Sequence, residues 1–339
     1  MTEITLNSLY NKLKNIKLSG STCLYSYEKC QHLYPLITEI NHFKKKKNAL
    51  ILAHSYVAPE IIHGVSDFSG DSYELSQKAK ESHADIIIFV AVKFMAETAK
   101  ILNPNKKVII PSKHNGCSLA DSISESDILM LKEKYPDHTF VCYINTTATI
   151  KAHCDVCVTS SNAVKIIKNI TNDKIYFLPD KLMAKNIIQQ LTDEKIHKKI
   201  KYWRGSCYVH EDYDPEMTQY IKQQYPHAKI AAHPECKPEV AKEADFLGST
   251  SQMINFVKKS PEDTFFLLTE CGLNTRLQLE LPQKKFIGSC TLCQYMKANS
   301  LESILDSLKH PTNEQLINID RITAKKAQKC IDAMFELNH

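Results

Sequence analysis

No apolar run in the 339 residues approaches the roughly 18–20 that a membrane-crossing helix needs. The longest, residues 84–92, is interrupted early by Asp85. The opening Met1-Thr2-Glu3-Ile4-Thr5 lacks the basic stretch followed by an apolar stretch that marks a secretory signal. A cytoplasmic chain with no membrane partner is expected. A concentrated block of one charge is also missing. The net charge of +5 is spread along the chain, and the single dense basic run, residues 44–47, reads as a solvated helix end. No nucleic-acid partner is expected. Twelve cysteines in a cytoplasmic chain argue against a disulfide framework; most should be small buried hydrophobes, and position must pick out any ligands. What remains is ordinary globular composition, 43% apolar and 24% charged, over a length that implies two or three domains.

From Asn48 a pattern recurs three times. Each unit opens with an apolar strand ending in polar residues, at His54-Ser55-Tyr56, at Tyr143-Ile144-Asn145-Thr146 and at His233-Pro234-Glu235. Each continues to a second strand opened by an aspartate: Asp85, Asp155 and Asp245. A polar turn and a helix follow, at residues 92–97, 159–163 and 249–253, then a third strand at 108–111, 175–179 and 265–269. The landmarks His54, Tyr143 and His233 are spaced by 89 and 90 residues. That period is far longer than a solenoid repeat and predicts three similar α/β domains with short parallel sheets. Ligands of such sheets bind beyond the carboxyl ends of the strands, where His54, Tyr56, Tyr143, Asn145, Ser160, His233, Glu235 and Thr250 all fall.

The same period selects three cysteines. Cys117 follows Asn115-Gly116, Cys207 follows Gly205-Ser206, and Cys293 ends Cys290-Thr291-Leu292-Cys293, at spacings of 90 and 86. One thiol per unit suits a Cys₃ zinc site or a [4Fe–4S] cluster with one iron unclaimed by protein; coincidental spacing of three buried thiols is the plain alternative. Cys290-x-x-Cys293 alone is ambiguous between a redox pair, half a zinc site and part of a cluster set.

Several motifs, in this order along the chain, carry a resemblance. They are Ala53-His54-x-Tyr56, Gly70-Asp71-Ser72, Phe94-Met95-Ala96-Glu97-Thr98, Gly116-Cys117-Ser118-Leu119, Tyr143-x-Asn145-Thr146, Thr159-Ser160-Ser161-Asn162, Cys207-x-Val209-His210-Glu211, His233-Pro234-Glu235-Cys236, Gly248-Ser249-Thr250-Ser251 and Cys293-x-x-Met296. Together they resemble the quinolinate synthases, iron–sulfur enzymes of de novo NAD biosynthesis. The resemblance implies a transferase that condenses iminoaspartate with dihydroxyacetone phosphate to quinolinate, losing phosphate and water. It implies a [4Fe–4S] cluster on Cys117, Cys207 and Cys293, one iron being left open as a Lewis acid. His54, Ser72, Tyr143, Ile144, Asn145, Ser160, His233, Pro234, Glu235 and Thr250 become substrate-binding positions. His54, Tyr56, Tyr143, His210, His233 and Glu235 become catalytic ones. A transient partner is the L-aspartate oxidase or dehydrogenase that makes iminoaspartate.

The implied architecture is three pseudo-symmetric αβα sandwiches around the cluster: a helical lead-in over 1–47, a first domain over 48–120 completed by helices within 294–339, a second over 121–210 and a third over 211–293. Ser55 and Tyr73 depart from the commonest family residues and should alter only the pocket lining. Cys23, Cys30, Cys142, Cys154, Cys157, Cys236, Cys271 and Cys330 read as structural, and Glu97 as a surface charge. Ser160 and Thr250 could otherwise be simple helix caps. Cys290 could form an oxidative disulfide with Cys293 that removes a cluster ligand. The rival functions are a zinc hydrolase or lyase on the same thiolates and a metabolite-binding iron or redox sensor.

Overall fold

The computed structural model describes residues 4–18, 22–288 and 291–338. A short helix, Leu6–Leu13, and an antiparallel pair, β1 (Lys17–Leu18) and β2 (Thr22–Cys23), precede the long helix Tyr27–Lys46. One of its closing lysines is less solvated than the run suggested. Lys44 is buried, ion-paired to Asp67 at 2.9 Å and donating to the Val65 carbonyl.

Three four-stranded parallel sheets follow. The first contains β3 (Ala49–His54), β4 (Phe68–Gly70), β5 (Ile86–Val90) and β6 (Lys107–Ile109), in the order β4-β3-β5-β6. The second contains β7 (Thr139–Tyr143), β8 (Val156–Val158), β9 (Lys174–Leu178) and β10 (Lys199–Tyr202), in the order β10-β9-β7-β8. The third contains β11 (Lys229–Ala232), β12 (Phe246–Leu247), β13 (Thr264–Leu268) and β14 (Lys285–Ile287), in the order β12-β11-β13-β14. Read from the matching edge, the order is the same each time. The two inner strands of each sheet are almost wholly buried, as parallel strands covered on both faces must be.

Hydrogen bonds fix the register of the repeat and correct one unit of it. Asp155 accepts the Phe140 amide at 2.7 Å and Asp245 the Ile230 amide at 2.9 Å, each clasping the second strand to the first. In the first unit the clasp is Asp67 on the Ile51 amide at 2.8 Å. Asp85 instead precedes the third strand, and residues 107–109 form the fourth. The expected alignment was therefore one strand late in this unit. β4 is only Phe-Ser-Gly, too short and polar to read as an apolar strand, and the strongly apolar 86–90 took its place.

With this register His54, Tyr143 and His233 remain equivalent. Ser72 joins Ser160 and Thr250 after the second strands, and Val92, Asp180 and Glu270 follow the third strands. Contacts across units are polar as well as apolar. Ser249 donates to Asp71 at 3.0 Å, the Ala148 amide to Glu97 at 2.8 Å, and Asn186 to the Pro234 carbonyl at 2.7 Å. Helix Leu301–Lys309 packs on helix Tyr27–Lys46 and β5. The terminal helix Arg321–Glu336 packs on β8, on helix Ala148–Lys151 and on helix Lys93–Leu102. No helix among the described residues is long and apolar enough to cross a membrane.

Candidate functional site

The carboxyl ends of the inner strands of all three sheets face one cavity. His54, Tyr56, Ser72, Tyr143, Ile144, Asn145, Ser160, His210, His233, Glu235 and Thr250 line it, together with Cys117, Cys207 and Cys293. Pro234 is the exception among the expected positions: its carbonyl is taken by Asn186, and it lines a neighbouring cavity. The helix-cap alternative fails for the hydroxyls. Asp71 and Ser249 cap their helices, leaving Ser72 and Thr250 as the first helical residues, and Ser160 lies two residues before the start position of helix Ala163–Asn169. Tyr73 also lines the cavity, whereas Ser55 does not: it is buried and accepts a hydrogen bond from Arg276 at 2.6 Å.

A continuous hydrogen-bonded chain crosses the cavity wall. Tyr143 donates to Glu235 Oε1 at 2.5 Å and Asn145 to the same oxygen at 3.3 Å. Glu235 Oε2 lies 2.8 Å from His210 Nδ1, whose Nε2 is 3.0 Å from Thr269 Oγ1. Thr269 and Thr250 both bond the Tyr56 hydroxyl, at 2.7 and 2.8 Å. Thr269 was not singled out from sequence; its position at the end of the third strand of the third unit was the available signal. His210 and His233 stack at 4.5 Å, and His54 meets Tyr56 edge-on at 4.4 Å.

Burial sets the protonation states. It lowers His54 to about 3, helped by His233 and Arg276, and lowers His233 to about 3, helped by His210. Both rings are therefore neutral. His54 Nδ1 accepts the Tyr56 amide and His233 Nδ1 the Glu235 amide, which leaves the proton of each on Nε2. Burial pushes Glu235 up, but the charge and hydrogen bond of His210 more than offset it and hold the carboxyl at about 2. Tyr143 and Tyr56 are raised well above the usual phenol range, first by burial, and remain donors.

Two further residues brace the cavity from behind. Lys151, fully buried, donates to the Ile144 carbonyl at 2.7 Å and to that of Thr146, pinning the loop that presents Tyr143 and Asn145. Glu97 is buried and accepts the Ala148 amide, so it is structural where a surface charge was expected. Glu97 is satisfied by a backbone group 51 residues away, which local pattern does not reveal, and Lys151 by carbonyls of its own loop.

The three repeat cysteines lie where the units meet. Burial pushes Cys117 up to about 12 and Cys207 and Cys293 upward, with Glu235 and Glu270 adding to it. Only a strongly cationic group would make such thiols ligands, since metal binding requires the thiolate. Three thiols opening on one cavity, one from each unit, are a donor set compatible with an iron–sulfur cluster. Cys207, His210 and Glu235 do converge within 4.8 Å, but they are already bonded to one another. Cys290, and with it the expected Cys290–Cys293 pair, lies outside the described residues.

A three-unit α/β chain with thiols, acid–base groups and helix-start hydroxyls in one cavity has the layout of an enzyme. The family model described as "NadA: Quinolinate synthetase A protein" matches residues 38–336. The chain is 44% identical over 302 residues to the quinolinate synthase of Caldicellulosiruptor saccharolyticus, covering 88% of this chain and 97% of that one. It is 41% identical to that of Caulobacter vibrioides, covering 89% and 82%, and 41% identical to that of Alkaliphilus metalliredigens, covering 89% and 98%. The chain belongs to the quinolinate synthase family.

Proposed function

We propose that the chain condenses iminoaspartate with dihydroxyacetone phosphate to quinolinate, with loss of phosphate and water, as a carbon–carbon bond-forming transferase of NAD biosynthesis in the cytoplasm. The observation that carries this reading is the meeting of one cysteine from each repeat with an acid–base chain in a single cavity. Cys117, Cys207 and Cys293 would hold a [4Fe–4S] cluster at the centre of the pseudo-threefold arrangement, one iron being left unligated by protein. When bound, the cluster supplies Lewis-acid assistance to loss of water.

The chain's own residues do the rest. The hydroxyls of Ser72 and Thr250 lie at helix starts, where backbone N–H groups favour carboxylates and phosphate, and Ser160 adds a hydroxyl from the turn before helix Ala163–Asn169. Asn145, His54 and His233 add neutral donors that orient the two substrates. Tyr143 holds a proton at its hydroxyl against ionised Glu235, and the path Glu235–His210–Thr269–Tyr56 connects that proton to the opposite wall. Imine formation, tautomerisation and dehydration each need a proton delivered or removed, and this path supplies both ends. Iminoaspartate would come from an L-aspartate oxidase or dehydrogenase through transient contact.

The test is anaerobic reconstitution followed by quinolinate formation from the two substrates. About four iron and four sulfide per chain with turnover is the expected result. Full activity with zinc alone would favour the rival hydrolase or lyase, and ligand binding without turnover would favour a sensor.

A further inference from the structure

Glu270 lies in the wall of the cavity beside Cys293 and has no part in the proton path. It is 1% exposed, yet it carries a carboxylate with three partners from three places. Its Oε1 accepts the Cys293 amide at 3.2 Å and pairs with Lys297 Nζ at 3.0 Å; its Oε2 accepts the Gly272 amide at 2.6 Å. Lys297 also donates to the Tyr56 carbonyl at 2.5 Å. Gly272 is required for this closeness, because a Cβ there would stand 2.5 Å from the Tyr56 carbonyl oxygen and 2.7 Å from Glu270 Oε2. One ion pair therefore fastens the end of β13, the loop that presents Cys293 and the Tyr56 turn of the first unit.

The repeat gives this place an acidic residue in the second and third units and not in the first. Val92 occupies the equivalent place in the first unit and offers no acceptor. Asp180 occupies it in the second, where its Oδ1 accepts the Leu182 and Met183 amides as the cap of its own helix and its carboxyl also meets the Cys207 backbone N–H. Glu270 accepts one amide of the following helix, that of its first residue Gly272, where Asp180 accepts two. Cys293 precedes a helix of only four residues, too short to fix its own loop.

The geometry points to Glu270, charge-balanced by Lys297, as the positioning residue that holds Cys293 ready to ligate the cluster. This rests on the reading of Cys293 as a cluster ligand. Neutralising Glu270 while Lys297 keeps its charge would leave a net positive charge beside the ligand, which favours addition of an electron to the cluster.

The test compares reconstituted wild type, Glu270→Ala, Glu270→Gln and Cys293→Ala by iron and sulfide content, chelator-driven decay of cluster absorbance, and cluster midpoint potential. Glu270→Ala should lose the cluster to chelator at least severalfold faster than wild type. Glu270→Gln keeps an acceptor for the Cys293 amide; it should hold the cluster far better than Glu270→Ala and raise the midpoint potential. Wild-type decay in Glu270→Ala, or an unmoved potential in Glu270→Gln, overturns the inference while Cys293→Ala still fails to hold the cluster. If Cys293→Ala keeps a full cluster, the ligand reading itself has failed. Should Glu270→Ala not fold, Glu270→Gln alone decides through its potential.

Discussion

Two sets of thiols in this chain invite comparison. Cys117, Cys207 and Cys293 come one from each repeat and open on a shared cavity; Cys142, Cys154, Cys157 and Cys330 lie in the sealed core between the second sheet and the terminal helix. The sealed set is the more tightly grouped by sequence pattern, with its own Cys-x-x-Cys and with Cys142 and Cys330 sulfurs 3.6 Å apart. Burial pushes Cys154, Cys157 and Cys330 up, while Cys142 bears the same burial but accepts hydrogen bonds from the others and lies low. Those sulfurs satisfy one another and have apolar neighbours. The cavity set faces an opening and a proton path. Convergence on open space, more than cysteine count or spacing, separates a candidate site from a core.

The sharpest way to break this comparison is to remove thiols from each set. Cys117→Ala, Cys207→Ala and Cys293→Ala should each abolish cluster binding and activity, read as iron content and quinolinate formed; Cys142→Ala and Cys154→Ala should keep both. Next in size is the proton path. Tyr143→Phe and Glu235→Gln should each reduce kcat by ~10²–10⁴ with iron content unchanged. An activity loss matched by an equal loss of iron would instead give these residues a structural role.

Acid should then weaken the cavity before the thiol core. His54 and His233 sit at about 3, below the unfolded value near 6.5. Their neutral forms contribute stability that is complete above about pH 6.5 and is lost as pH falls toward 3, because the unfolded chain binds those protons first. Glu235, held at about 2, adds a loss in the same direction below its unfolded value. Urea midpoints of the cluster-free chain should fall steadily from pH 7 to 5, and His54→Asn should flatten the slope. A midpoint independent of pH would contradict the buried neutral histidines. The smallest effect belongs to the sealed set. Cys330→Ala should lower stability by about 1 kcal/mol through lost packing, with wild-type turnover.

The sequence alone determined the period of the repeat, the parallel α/β class and the three cysteines selected by spacing. These follow from local apolar runs and the fixed geometry of strands, which any short window displays. It also brought eight strand-end residues to the cavity, since strand ends are legible wherever an apolar run stops; Ser72 and His210 came from the family resemblance. Tertiary structure decided what depended on partners remote in the chain. The first unit's clasp passed to Asp67 because β4 is too short to announce itself. Glu97 is buried because a backbone group of another segment satisfies it. Thr269 joins Tyr56 to His210 across 213 and 59 residues of chain, and Glu270 reaches Cys293 across 23. A polar group's role depends on which donors and acceptors surround it once water is gone, and only the folded chain brings those together.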